Sequence, residues 1–425
     1  MMIIVDTMKD EKKLLMFTYI LCIVFFLNLD LIKPKFDMTP MVIALVICFL
    51  IGFSYFIIRK FFPNGDKYIF IFACILSVIG IAMLYRIDIL NGTLHALDVS
   101  NGIKKPHIAT NNAVKQIIWF LAGVTGYILL VVLLPDLKRF AKLKYVYAVF
   151  TIIFMGMAML IGTEVNGSKN WVFIGGFSFQ PSEFGKLFLI AYLASALENY
   201  KDFKSLIEPA IIVMISLGFM VMQKDLGTAL IIFAISVTML YIATSKLKYT
   251  ITCIILFVLG AFLSYHMFDH VRVRFLIWEN PMKYANKESY QVVQSMISIA
   301  WGGLTGTGIG LGYPNYVPVN STDFIFAIIC EELGILMGMG IILIFFLLFY
   351  RCMRAAVYTN DNFSRLLAVG YASMVASQVM VIVGGVTNMI PLTGITLPLV
   401  SYGGSSMLIT FFSLGIIQKI SEEGR

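Results

Sequence analysis

The chain has 425 residues, of which 59% are hydrophobic and only 13% charged, with a formal net charge of +8. A soluble domain carries about 45–50% apolar and about 25% charged residues, so an ordinary soluble globular protein is excluded. The apolar residues fall in long uninterrupted runs, many of about 18 or more, which is enough to cross a bilayer as helix.

Twelve spans are predicted, near 14–32, 40–58, 68–86, 114–134, 144–162, 183–198, 206–222, 226–243, 249–267, 324–349, 364–388 and 396–418. The first run lacks a small-residue cleavage site and leads into further spans, so it reads as an uncleaved anchor. The basic residues lie scattered in short loops, which fits a positive-inside bias and predicts no nucleic-acid partner. With the N-terminus placed in the cytoplasm, 19 of the 32 lysines and arginines fall on the inner side, as in Asp136–Lys144. Both termini are therefore expected inside, and the segments 87–113, 163–182 and 268–323 outside. The six cysteines are isolated within apolar runs and show no CxxC spacing, so they read as reduced packing residues.

The outer segments carry the unusual residues. The second runs from Asn166 through Trp171 to Gln180-Pro181-Ser182-Glu183-Phe184-Gly185-Lys186, a Gly-rich turn that leads into a helix. Glu183 and Lys186 share a face of that helix. They read either as a surface ion pair or as a pair that orients a charged lipid head group. In the turn Gln223-Lys224-Asp225-Leu226-Gly227-Thr228, Asp225 is either a helix cap or a site acid at the membrane boundary. The long outer segment opens with Arg272, Arg274, Trp278 and Pro281. An arginine there suits a diphosphate, though ordinary interfacial anchoring reads equally well. His266 and His270, four apart, lack a third metal ligand and read as an interfacial pair.

The glycines between Gly302 and Gly312 lack dinucleotide spacing and a βαβ setting, so they predict tight packing or a re-entrant path. The segment ends at Asp323, either a first-turn acid or a site residue, with Glu331 and Glu332 deeper in an apolar helix. The last outer turn, from Asn388 to Ser405 and Ser406, reads as a broken helix lining a cavity or as close small-residue packing.

These motifs, in this order, resemble the SEDS (shape, elongation, division and sporulation) family, also called RodA/FtsW/SpoVE, from about residue 68 to 418. The resemblance implies an all-α polytopic membrane protein of about twelve transmembrane helices. Residues 1–66 would be two accessory helices, and 67–425 a ten-helix glycosyltransferase core. It implies a peptidoglycan glycosyltransferase in the cytoplasmic membrane that polymerises lipid II into β-1,4 glycan on the outer face, for elongation, division or sporulation. Its partners would be lipid II, undecaprenyl-diphosphate-linked glycan and a class B penicillin-binding protein. Lys224 departs from the family's usual Pro.

By the same resemblance Asp323 matches the essential acid and is the expected catalytic base. Glu183, Lys186, Asp225 and Arg272 fall on polar cavity positions, and Ser405 and Ser406 are candidates for substrate contact. Inverting transfer needs a base for the acceptor hydroxyl and positive charge on the leaving diphosphate. Arg272 or Lys186 is expected in the second role. A divalent cation, Mg or Mn, is a candidate to share it, although no complete ligand set is visible. Two rival readings are a lipid II flippase, which inverted repeats would favour, and a non-catalytic scaffold for a transpeptidase.

Overall fold

A computed structural model describes residues 2–32, 37–101, 110–134, 136–165, 167–174 and 177–424. Asn166 of the second outer segment lies outside them. The helices are α1 (Met2–Leu31), α2 (Thr39–Phe61), α3 (Tyr68–Ser100), α4 (Asn112–Leu133), α5 (Lys144–Ile161), α6 (Pro181–Leu197) and α7 (Ile207–Met222). There follow α8 (Leu226–Thr244), α9 (Leu247–Met267), α10 (Asp269–Glu279), α11 (Tyr290–Gly302), α12 (Ile325–Tyr358), α13 (Asn362–Val386) and α14 (Gly404–Glu423). The chain is a polytopic membrane protein, and among the described residues 10 helices are long and apolar enough to cross a membrane. The remaining two predicted spans correspond to α6, of 17 residues, and α14, of 20 residues.

Two elements differ from the sequence expectation. The Gly-rich turn at 163–182 is a small antiparallel ribbon of β1 (Thr163–Val165), β2 (Ser168–Ile174) and β3 (Phe177–Phe179), in that order. Alternating bulky residues such as Trp171 and Phe173 suit a pleated strand, and their signal is lost among the flanking glycines. The last predicted span loses its first turns because Leu399 adopts positive φ and Pro398 offers no N–H. A helix therefore starts only at Gly404.

Helices α3 and α13 are buried along most of their length, and the rest of the bundle packs around them. On one side α1 lies along α3, with the Phe26 and Tyr85 rings 6.0 Å apart. At the far end from the motif loops, α3 is tied to the ends of α12 and α14. Arg351 holds Asp66 at 3.2 Å, and Glu422 accepts hydrogen bonds from Asn64 and the Gly65 amide.

Helix α12 is broken at Gly334, where φ is +83°. The glycine-rich segment 302–312 threads back against this break, as its composition suggested. The amides of Thr307 and Gly308 donate to the carbonyls of Glu331 and Glu332, at 2.9 and 3.0 Å. Ile335 N donates to Gly303 O at 3.0 Å. A side chain on Gly306 would meet the Gly334 nitrogen at 2.6 Å, so both strands of this crossing need glycine.

Glu331 and Glu332 thereby receive partners. Tyr313 N donates to Glu331 Oε1 at 2.7 Å, and Gly310 N to Glu332 Oε2 at 3.0 Å. Arg86 of α3 stands 3.1 Å from Glu332 Oε1. The two acids serve as acceptors that hold the re-entrant segment, and Asp323 lies outside this cluster.

Candidate active site

The motif loops gather at one end of the bundle, and the segment 388–403 is their hub. Arg274 of α10 donates to Thr393 O at 3.3 Å, and Gln378 of α13 donates to Thr396 O at 3.0 Å. Ser401 Oγ donates to Thr322 O at 2.5 Å, and Tyr402 N to Ser321 O at 2.8 Å. Gln116 of α4 brackets the same turn, donating to Ser401 O and accepting from Gly403 N. Gly227 lets the hub reach the first turn of α8, since a Cβ there would lie 2.5 Å from Ile395 Cγ2. Trp278 and Asn388 exchange hydrogen bonds at 3.2 and 3.3 Å, which fixes the far end of α10 on the hub.

Asp225 is the N-cap of α8, and its Oδ1 accepts from Thr228 N at 3.0 Å. That is half its role. Its Oδ2 accepts from Asn170 of β2 and from Gln180, both at 3.0 Å. The ribbon also binds the α7–α8 turn through its backbone, with Lys169 N on Gln223 O at 3.1 Å. Gln180 N in turn donates to Ser405 Oγ at 3.0 Å. Asp225 and Ser405 thus sit on one polar chain that joins the ribbon, α8 and α14.

The Glu183–Lys186 pair is not on the surface. Lys186 is fully buried and donates to Glu183 Oε1 at 2.8 Å and to Gln378 Oε1 at 3.3 Å. Gln378 Nε2 also approaches Ser406 Oγ at 3.3 Å. A buried ion pair is tolerated only where further hydrogen bonds satisfy its remaining groups, and Gln378 supplies one. Lys186 is therefore engaged inside the bundle, on the wall of the site.

Asp323 stands one residue before Phe324, the N-cap position of α12, so it is not the cap of that helix. Its carboxylate is partly buried beside Gly394, where an added Cβ would lie 3.6 Å from Oδ2. Gly394 has φ +73°, a conformation that suits glycine and leaves this side of the carboxylate open. Burial pushes the Asp323 carboxyl up to about 6, opposed by the Thr322 hydroxyl and by Arg274. Arg274 is partly buried, which lowers its own basicity, while the charges of Asp225 and Asp323 support its protonated form. Asp323, Arg274 and Asp225 therefore form one electrostatic group around Thr393.

Arg272 lies elsewhere. It is exposed on the opposite face of α10, 3.9 Å from Asp269 and over the Tyr265 ring. Two residues along a helix is a turn of about 200°, so Arg272 and Arg274 cannot both face the hub. The structure thus gathers Asp323, Asp225, Glu183, Lys186, Ser405 and Ser406 around the hub, with Arg274 beside them and Arg272 on the other face of α10.

The FtsW/RodA/SpoVE cell cycle protein family matches residues 66–425. The chain belongs to this family. It is 34% identical over 398 residues to peptidoglycan glycosyltransferase RodA of Mycobacterium leprae, covering 90% of this chain and 83% of that one. It is 35% identical over 300 residues to stage V sporulation protein E of Bacillus subtilis, covering 68% and 80%. Its fold is similar to a chain in the solved structure described as "Structural coordination of polymerization and crosslinking by a peptidoglycan synthase complex". That match has a TM-score of 0.67 at 24% identity and covers 85% of this chain and 98% of that one.

Sequence reasoning named Arg274 and Gln180 within motifs without giving them a role, and passed over Gln378 and Asn170. Gln378 had a signal, because an amide inside an apolar membrane helix needs a polar partner. For a metal, the described residues offer no preformed cage. No group of three or more His, Cys, Asp and Glu that could hold an ion occurs among the described residues. Both oxygens of Asp225 already accept hydrogen bonds.

Proposed function

We propose that this peptidoglycan glycosyltransferase polymerises lipid II at the hub end of the bundle, with Asp323 as general base and Arg274 on the departing diphosphate. The observation that carries the reading is the partly buried Asp323 carboxylate beside Gly394, at the same hub that Arg274 reaches through Thr393 O. Asp323 takes the proton of the acceptor sugar's 4-hydroxyl as its oxygen attacks the donor's anomeric carbon. The bond from that carbon to the diphosphate oxygen breaks, and its electron pair leaves on the diphosphate. Arg274 stabilises the charge that develops there, and attack from the opposite face gives inversion. The proton on Asp323 is then released to water. Lys186, Glu183 and Gln378 brace the hub from inside the bundle, and Asp225 ties the ribbon to α8.

The hub end is the outer face in this reading, and both termini are cytoplasmic. The basic loops around Arg139, Lys142, Lys204 and Lys246 support that orientation. Residues 1–66 serve as an accessory anchor, since none of the site residues lies on α1 or α2. A class B penicillin-binding protein is the expected partner, and the resemblance to a chain of a peptidoglycan synthase complex supports it. The test is to give lipid II to the purified chain, alone and with that transpeptidase, and to separate the products by length. Glycan polymer is the expected result. Translocated but unpolymerised lipid II would favour a flippase, and polymer formed by the partner alone would favour a scaffold.

A further inference from the structure

One ionisable side chain at the hub is not used by the mechanism above. His270 lies four residues before Arg274 and so shares its face of α10. Its Nε2 is shut off from solvent and has no hydrogen-bond partner. The aromatic neighbour of the His270 ring is Phe268, with centroids 5.6 Å apart, which offers nothing polar. A buried ring nitrogen facing no partner is costly unless something polar occupies the space in the working state.

Lys224, on the α7–α8 turn, is near enough for its charge to act on His270. Its backbone is pinned at φ +60°, with N donating to Val221 O at 3.0 Å and O accepting from Ser168 Oγ at 3.1 Å. That turn presents Asp225 inward and leaves the Lys224 side chain exposed on the outer side. The charges of Arg274 and Lys224 therefore both act on the His270 ring. Burial lowers the His270 basicity, Arg274 and Lys224 lower it further, and Asp269 alone opposes them. The charges of Asp225 and Asp323 act on Arg274 in the opposite sense. In the free protein His270 is thus neutral at neutral pH.

We propose that His270 and Lys224 complete the anion site around Arg274, and that His270 takes up a proton as the substrate diphosphate binds. This rests on the lipid II reading above and assigns that site its proton balance. A diphosphate carries two negative charges. Placed among Arg274, Lys224 and His270, it reverses the local field that keeps the ring neutral. The ring then binds a proton from solvent and donates through Nε2 to a phosphate oxygen. Binding and protonation are linked, so affinity rises as pH falls toward the free histidine's value and levels off below it.

The test separates binding from chemistry. The full chain carrying Asp323→Asn is titrated with lipid II in two buffers of different ionisation heat, and calorimetry counts protons taken up. Net uptake of up to one proton near neutral pH is expected, with affinity changing by at most about tenfold per pH unit. His270→Gln keeps a polar group at the Nε2 position but cannot take up the proton, so uptake should vanish and the affinity become independent of pH. Lys224→Asn, which tolerates left-handed backbone, should weaken binding about two- to fivefold, the scale of an exposed charge pair. Lys224→Arg should restore it.

Uptake that persists in His270→Gln, or no uptake in the parent, overturns the role of His270. Lys224→Asn binding as tightly as the parent overturns that of Lys224. Either result leaves the lipid II reading standing. That reading fails separately, if the unmutated chain makes no polymer.

Discussion

Arg274→Gln should move the pH dependence of polymerisation, and Arg272→Gln should leave it in place. Burial pushes the Asp323 carboxyl up to about 6 even with Arg274 pulling it down. A base acts only when deprotonated, so the rate holds above that value and is lost as pH falls through it. Removing the Arg274 charge removes a lowering influence, and the acid limb must move up. Two unit charges that interact without contact, at an effective dielectric of about 20, are coupled by roughly 2–3 kcal/mol. Both groups are only partly buried, so solvent screening reduces this to about 1 kcal/mol, which displaces the limb by about 0.7 on the pH scale. Arg272 pairs with Asp269 on the exposed face and touches none of these groups. The assay is kcat from initial rates of lipid II polymerisation across the acid range, for the parent and both variants. An unmoved limb in Arg274→Gln, or an equal movement in Arg272→Gln, would refute the assignment of the site arginine.

Other consequences concern the supports of the site. Glu332→Gln leaves Arg86 buried without its charge partner and should cost about 3–5 kcal/mol of stability, read by thermal unfolding in detergent. Adding Arg86→Met should recover much of that, and a double variant no better than the single one would contradict the pairing. Gly227→Val places a branched side chain against Ile395 and Thr393, so the hub must shift, at about 1–3 kcal/mol and with loss of polymerisation. Normal activity in that variant would show that the hub does not position the chemistry. For topology, a single cysteine at Asn320 should react with an impermeant thiol reagent in intact cells, and one at Lys142 should stay protected, in a background lacking native cysteines. The reverse pattern would invert the orientation.

The membrane helices were legible because apolar runs of the right length have few alternatives in a bilayer. The order of motifs marked the family. What the sequence hid was rotation and company. Arg272 and Arg274 look alike in a row of letters, and only the docking of Trp278 and Asn388 decides which face of α10 meets the hub. Glu331 and Glu332 signalled a polar place at membrane depth, but their partners come from Arg86, Gly310 and Tyr313, which are distant in sequence or carried by backbone. The ribbon escaped notice because its strands are short and punctuated by glycine. Glu183 and Lys186 were recognised as a pair by spacing, yet their burial depends on α13 and its Gln378, which local pattern does not reveal.

The central claim is that Asp323 is the base, and Asp323→Asn tests it most directly. Asparagine preserves the size and the hydrogen-bonding shape beside Gly394 and Thr322 but accepts no proton. A positioned general base contributes about 10²–10⁴-fold in rate. The measurement is glycan chain synthesis from lipid II by the purified parent and variant, with matched unfolding temperature and matched lipid II binding as controls. The account predicts a fall of at least about 100-fold with binding retained. Near-normal chain synthesis by the variant would remove Asp323 from the mechanism.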